Sequence, residues 1–331
     1  MEKVLILYAT HEINRNMLYF YRNGYIDNPK YDFYFIINND TDVIFDKNKS
    51  NIKIIKRENW GLDFGAWSYA LFLKENNNEL YKQYKYFIFI NSTVRGPFLP
   101  SWYDQNKHNY WPDLFINKLD ENVKLVGPSI GFHSHSPYIS SSIFATDIVG
   151  LNLAINNGIF NISKTMSKDY IIEQCEIKLS RIIIDANFNI KCFLKYYDNI
   201  DLKEFKLRDN CVFCHQKNNH YYGININPYE VIFMKENRNI DSKLLNLYSE
   251  WNDNLSSNNI KLFYGTSKFK ILNVTGEQLI KFNIKLINKR ILSLYYEKYL
   301  PYEDNNLFIH MDDNCVVINR FNIDNINIIL S

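Results

Sequence analysis

The chain has 331 residues, 46% hydrophobic and 16% aromatic, which is enough to bury a full core as one large domain or as a large and a small one. Its 38 basic and 36 acidic residues leave a net charge of +2 with no basic tail or stripe, which argues against bulk nucleic-acid binding. Five scattered cysteines, an odd number, do not make a disulfide framework and point to a reducing compartment.

The opening run KVLILYAT (3–10) reads as a buried parallel strand. It is too short to span a membrane, and no signal-peptide cleavage pattern follows, so a soluble cytoplasmic protein is expected. Residues 13–25 carry apolar side chains at helical spacing and reach a stop signal at Asn23-Gly24. Strands are expected at 31–40 and 51–59, then a helix past Asp63, which sits where an N-cap would. Two more strands follow at 84–97 and 123–129. SSSIFATDIVGLNLAI reads as a strand then a helix, 169–188 as an amphipathic helix and 242–255 as a final helix. Strands alternating with helices imply right-handed crossovers and a mostly parallel α/β sheet. Beyond about residue 260 the texture turns to short strands. The expected division is therefore a main domain at 1–260 and a small β-rich appendage at 261–331, to which no role is assigned.

RENWGLDFGAW (57–67) places Asn59, Gly61, Asp63 and Gly65 on alternate positions at the mouth of a helix. In an open α/β sheet ligands bind beyond the carboxyl ends of the strands. Backbone N–H groups at a helix start attract phosphate, and glycine permits close approach. The segment therefore suits a nucleoside diphosphate, with Asp63 capping the helix or accepting from a ribose or sugar hydroxyl. The alternative is a plain capped turn whose glycines supply unusual φ angles. Farther on, the apolar strand in FIFINSTVRGP ends in the polar triplet Asn91-Ser92-Thr93.

ENWGLDFGAW, YFIFINSTVRGPFLP and NPYEVIFMKENR, with HSHSPYISSSIFATDIVGL and EIKLSRIIIDANFNI, resemble the glycosyltransferases of the rhamnan-synthesis and capsular-polysaccharide type, including rhamnosyltransferases of large DNA viruses. The resemblance covers roughly residues 1–240 and rests on motif order more than on any one motif. It implies a GT-A-like Rossmann-type fold and transfer of a sugar, for instance a deoxyhexose such as rhamnose, from a nucleoside-diphosphate donor to a glycan or protein-linked acceptor. A UDP-sugar is the favoured donor.

In that fold the loop after the first strand cradles base and ribose, which makes Ala9, Thr10 and His11 candidates, with Asn39 and Asp40 for base recognition. Glu176 matches an acid of the family and is the candidate base, with Asp169 and Glu173 as neighbours. His135 and His133 are candidates for acceptor or phosphate contact. The family places an Asp-x-Asp metal triplet where this chain has Asn91, Ser92 and Thr93. Amide and hydroxyl groups are weak ligands for Mn²⁺ or Mg²⁺, so metal dependence stays open. Asn91 and Thr93 then become candidates for direct phosphate or sugar contact, and Arg95 for a guanidinium that partly replaces the cation. The missing carboxylates also motivate a rival reading, a carbohydrate-binding or assembly protein on an inactivated transferase fold. Cys211, Cys214, His215 and His220 lie close enough in sequence for a zinc site, or for a chance cluster.

Overall fold

A computed structural model describes residues 2–39, 49–75, 77–100, 102–205, 226–238 and 242–256, and the strands 261–263, 271–273, 306–311 and 314–319. The chain divides into two compact units, Met1–Asp40 with Asn48–Leu255, and Thr41–Lys47 with Ser256–Ser331. In the second unit Lys261–Phe263 pairs antiparallel with Ile271–Asn273, and Asn306–Met311 with Asn314–Asn319. Cys211, Cys214, His215 and His220, weighed as a zinc site or a chance cluster, and Asp40 lie outside the described residues.

The first unit is built on a seven-stranded sheet: β1 (Val4–Thr10), β2 (Tyr31–Ile37), β3 (Ile52–Lys56), β4 (Tyr86–Asn91), β5 (Val123–Gly127), β6 (Ile143–Asp147) and β7 (Asn189–Cys192). Across the sheet the order is β3-β2-β1-β4-β6-β5-β7, and every pairing is parallel except those of β6. This is a mixed, mostly parallel α/β sheet, flanked by helices. The helices are α1 (Arg15–Asn23), α2 (Leu62–Leu71), α3 (Trp111–Ile116), α4 (Ile148–Asn156), α5 (Lys168–Ile171), α6 (Lys178–Asp185), α7 (Pro228–Val231) and α8 (Ser242–Ser256), with a π-helical segment, Ile172–Ile177, between α5 and α6. The reversed direction of β6, the helix α3, the strand β7 and the hairpin Gly131–His133/Ser136–Tyr138 are not foreseen from sequence.

Every residue of β1 is buried because both faces of the sheet are covered. On one face Leu5, Leu7 and Ala9 join Phe64 and Trp67 of α2, and the Trp67 ring meets Phe89 and Phe144 edge-on at 5.4 and 5.7 Å. On the other, Tyr8 stacks on Phe20 of α1 at 4.8 Å. Trp111 of α3 meets Phe20 edge-on and donates from Nε1 to the Gly24 carbonyl at 2.7 Å. Burial on both faces is why these strands read as unbroken apolar runs rather than alternating ones.

The glycines at the mouth of α2 have a packing reason. Gly61, not Asp63, is the N-cap, at φ +70°, a left-handed conformation that favours glycine. A Cβ on Gly65 would stand 2.5 Å from the Trp60 carbonyl oxygen, so the first turn of α2 closes onto the preceding chain only without one.

Candidate functional site

The chain runs outward from β1 through β2 to β3, then returns to the other side of β1 as β4. The strand order therefore reverses between β1 and β4, the topological switch point where an open α/β sheet opens a crevice. Ala9 is the register partner of Asn91, so the carboxyl ends of both strands stand side by side there. A cavity of about 560 Å³ opens at this point. It is lined from β1 by Ala9, Thr10 and His11, from the α2 mouth by Asn59 and Asp63, from β4 by Asn91, Ser92 and Thr93, and from the π-helical segment by Glu176.

Several of the sequence candidates stand elsewhere, Asn39, His133, Asp169 and Glu173 among them. Gly61 shapes the turn without lining the cavity. His135 is exposed in the two-residue turn of the 131–138 hairpin, at φ +67°, and lines no part of the cavity. Arg95, expected to fork onto a phosphate, is 1% exposed behind the cleft. Its Nε donates to Asn16 Oδ1 at 2.8 Å, Nη1 to Asn246 Oδ1 at 2.7 Å and Nη2 to Glu236 Oε1 at 2.6 Å. Those bonds hold the cleft in shape from behind. Asn16 in turn donates to the Ser92 carbonyl at 2.9 Å, as Asn14 does at 3.0 Å, so the triplet loop is tied down through its backbone.

The cavity floor is a polar network. Asp63 Oδ2 accepts from Asn91 Nδ2 at 2.7 Å and from Ser141 Oγ at 3.3 Å, while Oδ1 accepts from the Phe64 N–H at 3.0 Å. Burial, with a smaller contribution from the Glu176 charge, raises the Asp63 pKa against the pull of these bonds. Glu176 Oε1 accepts from Ser140 Oγ and from the Ser141 N–H, both at 2.9 Å. Asn91 Oδ1 accepts from both the N–H and the hydroxyl of Thr93.

This donor set does not fit a resident Mn²⁺ or Mg²⁺. The triplet brings no carboxylate, its one amide oxygen already accepts twice, and Asp63 Oδ2 is engaged by two donors. Among the described residues no three His, Cys, Asp or Glu side chains gather as a metal site.

The same cavity holds cations that were not singled out from sequence. Lys235 enters on the two-residue strand Met234–Lys235, which pairs antiparallel with Val94–Arg95. Its Nζ donates to Ser140 Oγ at 3.1 Å. Arg238 and Lys168 also line the cavity. Lys235 and Arg238 belong to NPYEVIFMKENR, a stretch read for its resemblance alone. Its charge pattern was the available signal.

No protein-family model matches the chain, and no curated protein matches it. Among solved structures, the glycosyltransferase GlyE of Streptococcus pneumoniae TIGR4 is similar over 60% of this chain, with 10% identity and a TM-score of 0.32. The matched region spans 46% of the GlyE chain, less than half its length. Nothing in these matches singles out rhamnan synthesis or viral enzymes.

Proposed function

We propose that this protein is a glycosyltransferase that moves a sugar from a nucleoside-diphosphate donor to a hydroxyl of a glycan or protein-linked acceptor. One observation carries the reading: Thr10, Asp63, the Asn91–Thr93 triplet and Glu176 converge on one cavity at the switch point of a GT-A-like sheet. On this reading the loop after β1 takes base and ribose, and the triplet takes the diphosphate. A UDP-sugar remains the favoured donor, and a deoxyhexose such as rhamnose a candidate for the sugar.

The chemistry follows from the side chains. The bond from the anomeric carbon to the diphosphate oxygen breaks, and its electron pair leaves with that oxygen. The acceptor oxygen bonds the anomeric carbon, and its proton passes to the Glu176 carboxylate. Ser140 and the Ser141 N–H fix one oxygen of that carboxylate and leave the orientation of the other defined. Asp63 holds Asn91 in place and offers its carboxylate to a sugar hydroxyl.

The test is donor hydrolysis and transfer by wild type and Glu176→Gln against a panel of UDP-, dTDP- and GDP-sugars. Slow donor hydrolysis by wild type, reduced about 100-fold or more in Glu176→Gln, is the expected result, since general-base contributions run to that size. The neutral triplet favours one rival, a glycan-binding protein on an inactivated transferase fold. Glycan binding without donor binding or hydrolysis would establish that rival instead.

A further inference from the structure

We propose that Lys235, supported by Arg238, supplies the positive charge that offsets the departing diphosphate, so that the reaction proceeds without a divalent metal. This deepens the transferase reading and rests on it. The argument begins with the ladder. Lys235 is the register partner of Val94, the residue that follows the Asn91–Thr93 triplet, and the Glu236 N–H donates to the Thr93 carbonyl at 2.9 Å. The backbone therefore delivers an ammonium beside the triplet, where the family pattern would place a dication. Lys235, Arg238, Asp63 and Glu176 line the same cavity.

The placement is rigid. Glu236, the next residue, is clamped at 2.6 Å by the buried Arg95, which also reaches Asn16 and, through it, the triplet loop. A charge held in fixed geometry stabilises a leaving group without reorganising as the bond breaks. Burial, reinforced by the neighbouring Arg238, draws the Lys235 ammonium below the ordinary lysine range, against the opposing pull of Glu176 and Asp63. A partly desolvated ammonium interacts more strongly with an entering diphosphate than a solvated one would. In the transfer step Lys235 neither gains nor loses a proton. It offsets charge while the electron pair moves onto the diphosphate oxygen.

The experiment is calorimetry in EDTA with UDP, dTDP, GDP and ADP, each beside its parent nucleoside, for wild type, Lys235→Met, Lys235→Gln and Lys235→Arg. Each variant is first checked for an unchanged melting profile, and Lys235→Gln retains a donor toward Ser140 should the Met variant not fold. Wild type is expected to bind one diphosphate in EDTA. Lys235→Met and Lys235→Gln should weaken that diphosphate about 10- to 100-fold, the size of a lost hydrogen bond to a charged group. Nucleoside affinity should stay unchanged, and Lys235→Arg should recover most of the loss. A purely structural lysine would weaken nucleoside and diphosphate alike. The inference is overturned if wild type binds a diphosphate only when Mn²⁺ or Mg²⁺ is added, or if Lys235→Met binds it as wild type does. In both cases the transferase reading stands. If wild type binds no diphosphate with or without metal, the transferase reading falls and takes this inference with it.

Discussion

Asp63 gathers donors from three segments: the Phe64 N–H of α2, the Asn91 amide at the end of β4 and the Ser141 hydroxyl before β6. Asp63→Ala should therefore weaken the donor site and the fold together, by about 1.5–3 kcal/mol of stability, because hydrogen bonds to a charged acceptor are worth that much. Urea unfolding checks it, and an unchanged midpoint would reduce Asp63 to a ligand contact. The pH dependence has a definite sign. Burial raises the Asp63 pKa, so the folded protein holds this proton more tightly than the unfolded chain does. Its stabilising contribution is present below the ordinary carboxylate range and is lost as pH rises through the raised value. Wild type should thus lose ground to Asp63→Asn as pH rises above the ordinary carboxylate range. A wild-type advantage that grows over that rise would mean the carboxyl is pulled down instead. Arg95 gives a second case. Arg95→Met strands Glu236 and the Asn16 side-chain amide oxygen, and should cost about 3 kcal/mol, somewhat reduced because Glu236 can rehydrate. The same variant should loosen the triplet loop, seen as faster amide exchange at Ser92. That Asp63 and Asn91 would lie beyond strand ends was legible from the apolar runs before them, whereas Glu176, which lines the same cavity, was named from the resemblance. The partners of Arg95 come from 79, 141 and 151 residues away, which no local pattern records. Lys235 carried a local charge signal, but its place beside the triplet comes from pairing with Val94, which no local pattern records.

At the level of elements, β1, β2, β4 and β5 were readable because burial on both faces writes continuous apolar stretches, whereas the edge strand β3 has no fully buried residue. The four-residue β7 carries only two buried side chains and gave no such run. The helix expected over 169–188 is interrupted by the π-helical segment Ile172–Ile177, which carries Glu176. Such wide turns interrupt the helical register, and they recur at functional sites. Deleting the exposed Gln174 should restore ordinary α-register and rotate one side of the helix by about 100° relative to the other. Helix content by circular dichroism should persist while donor hydrolysis drops to the level of Glu176→Gln. Retention of activity would show that the wide turn does not set the direction of Glu176.

For the molecule as a whole, the mostly parallel α/β class was legible from alternation of apolar runs and helical spacing, while the direction of β6 was not. That direction is set by what precedes the strand, and serines and a short hairpin carry no directional signal. The sheet leans on one aromatic cluster in which Trp67 touches Phe64, Phe89 and Phe144. Trp67→Ala should cost about 3–5 kcal/mol and unfold the first unit as one cooperative body, since large core truncations leave a cavity. Two separable transitions within that unit, resolved by calorimetry, would contradict a single shared core.

Because β6 runs against its neighbours, its incoming loop faces the cleft and its outgoing end faces away. Ser141 reaches Asp63 and Glu176 just before the strand begins, and the Ile148 N–H just after it donates to the Lys85 carbonyl, at the far end of the sheet. Gly131 and Tyr138 of the preceding hairpin share a small second cavity with Lys235 and Arg238. On the transferase proposal, exchanging the exposed turn residues Ser134 and His135 should change acceptor preference while donor hydrolysis stays unaltered.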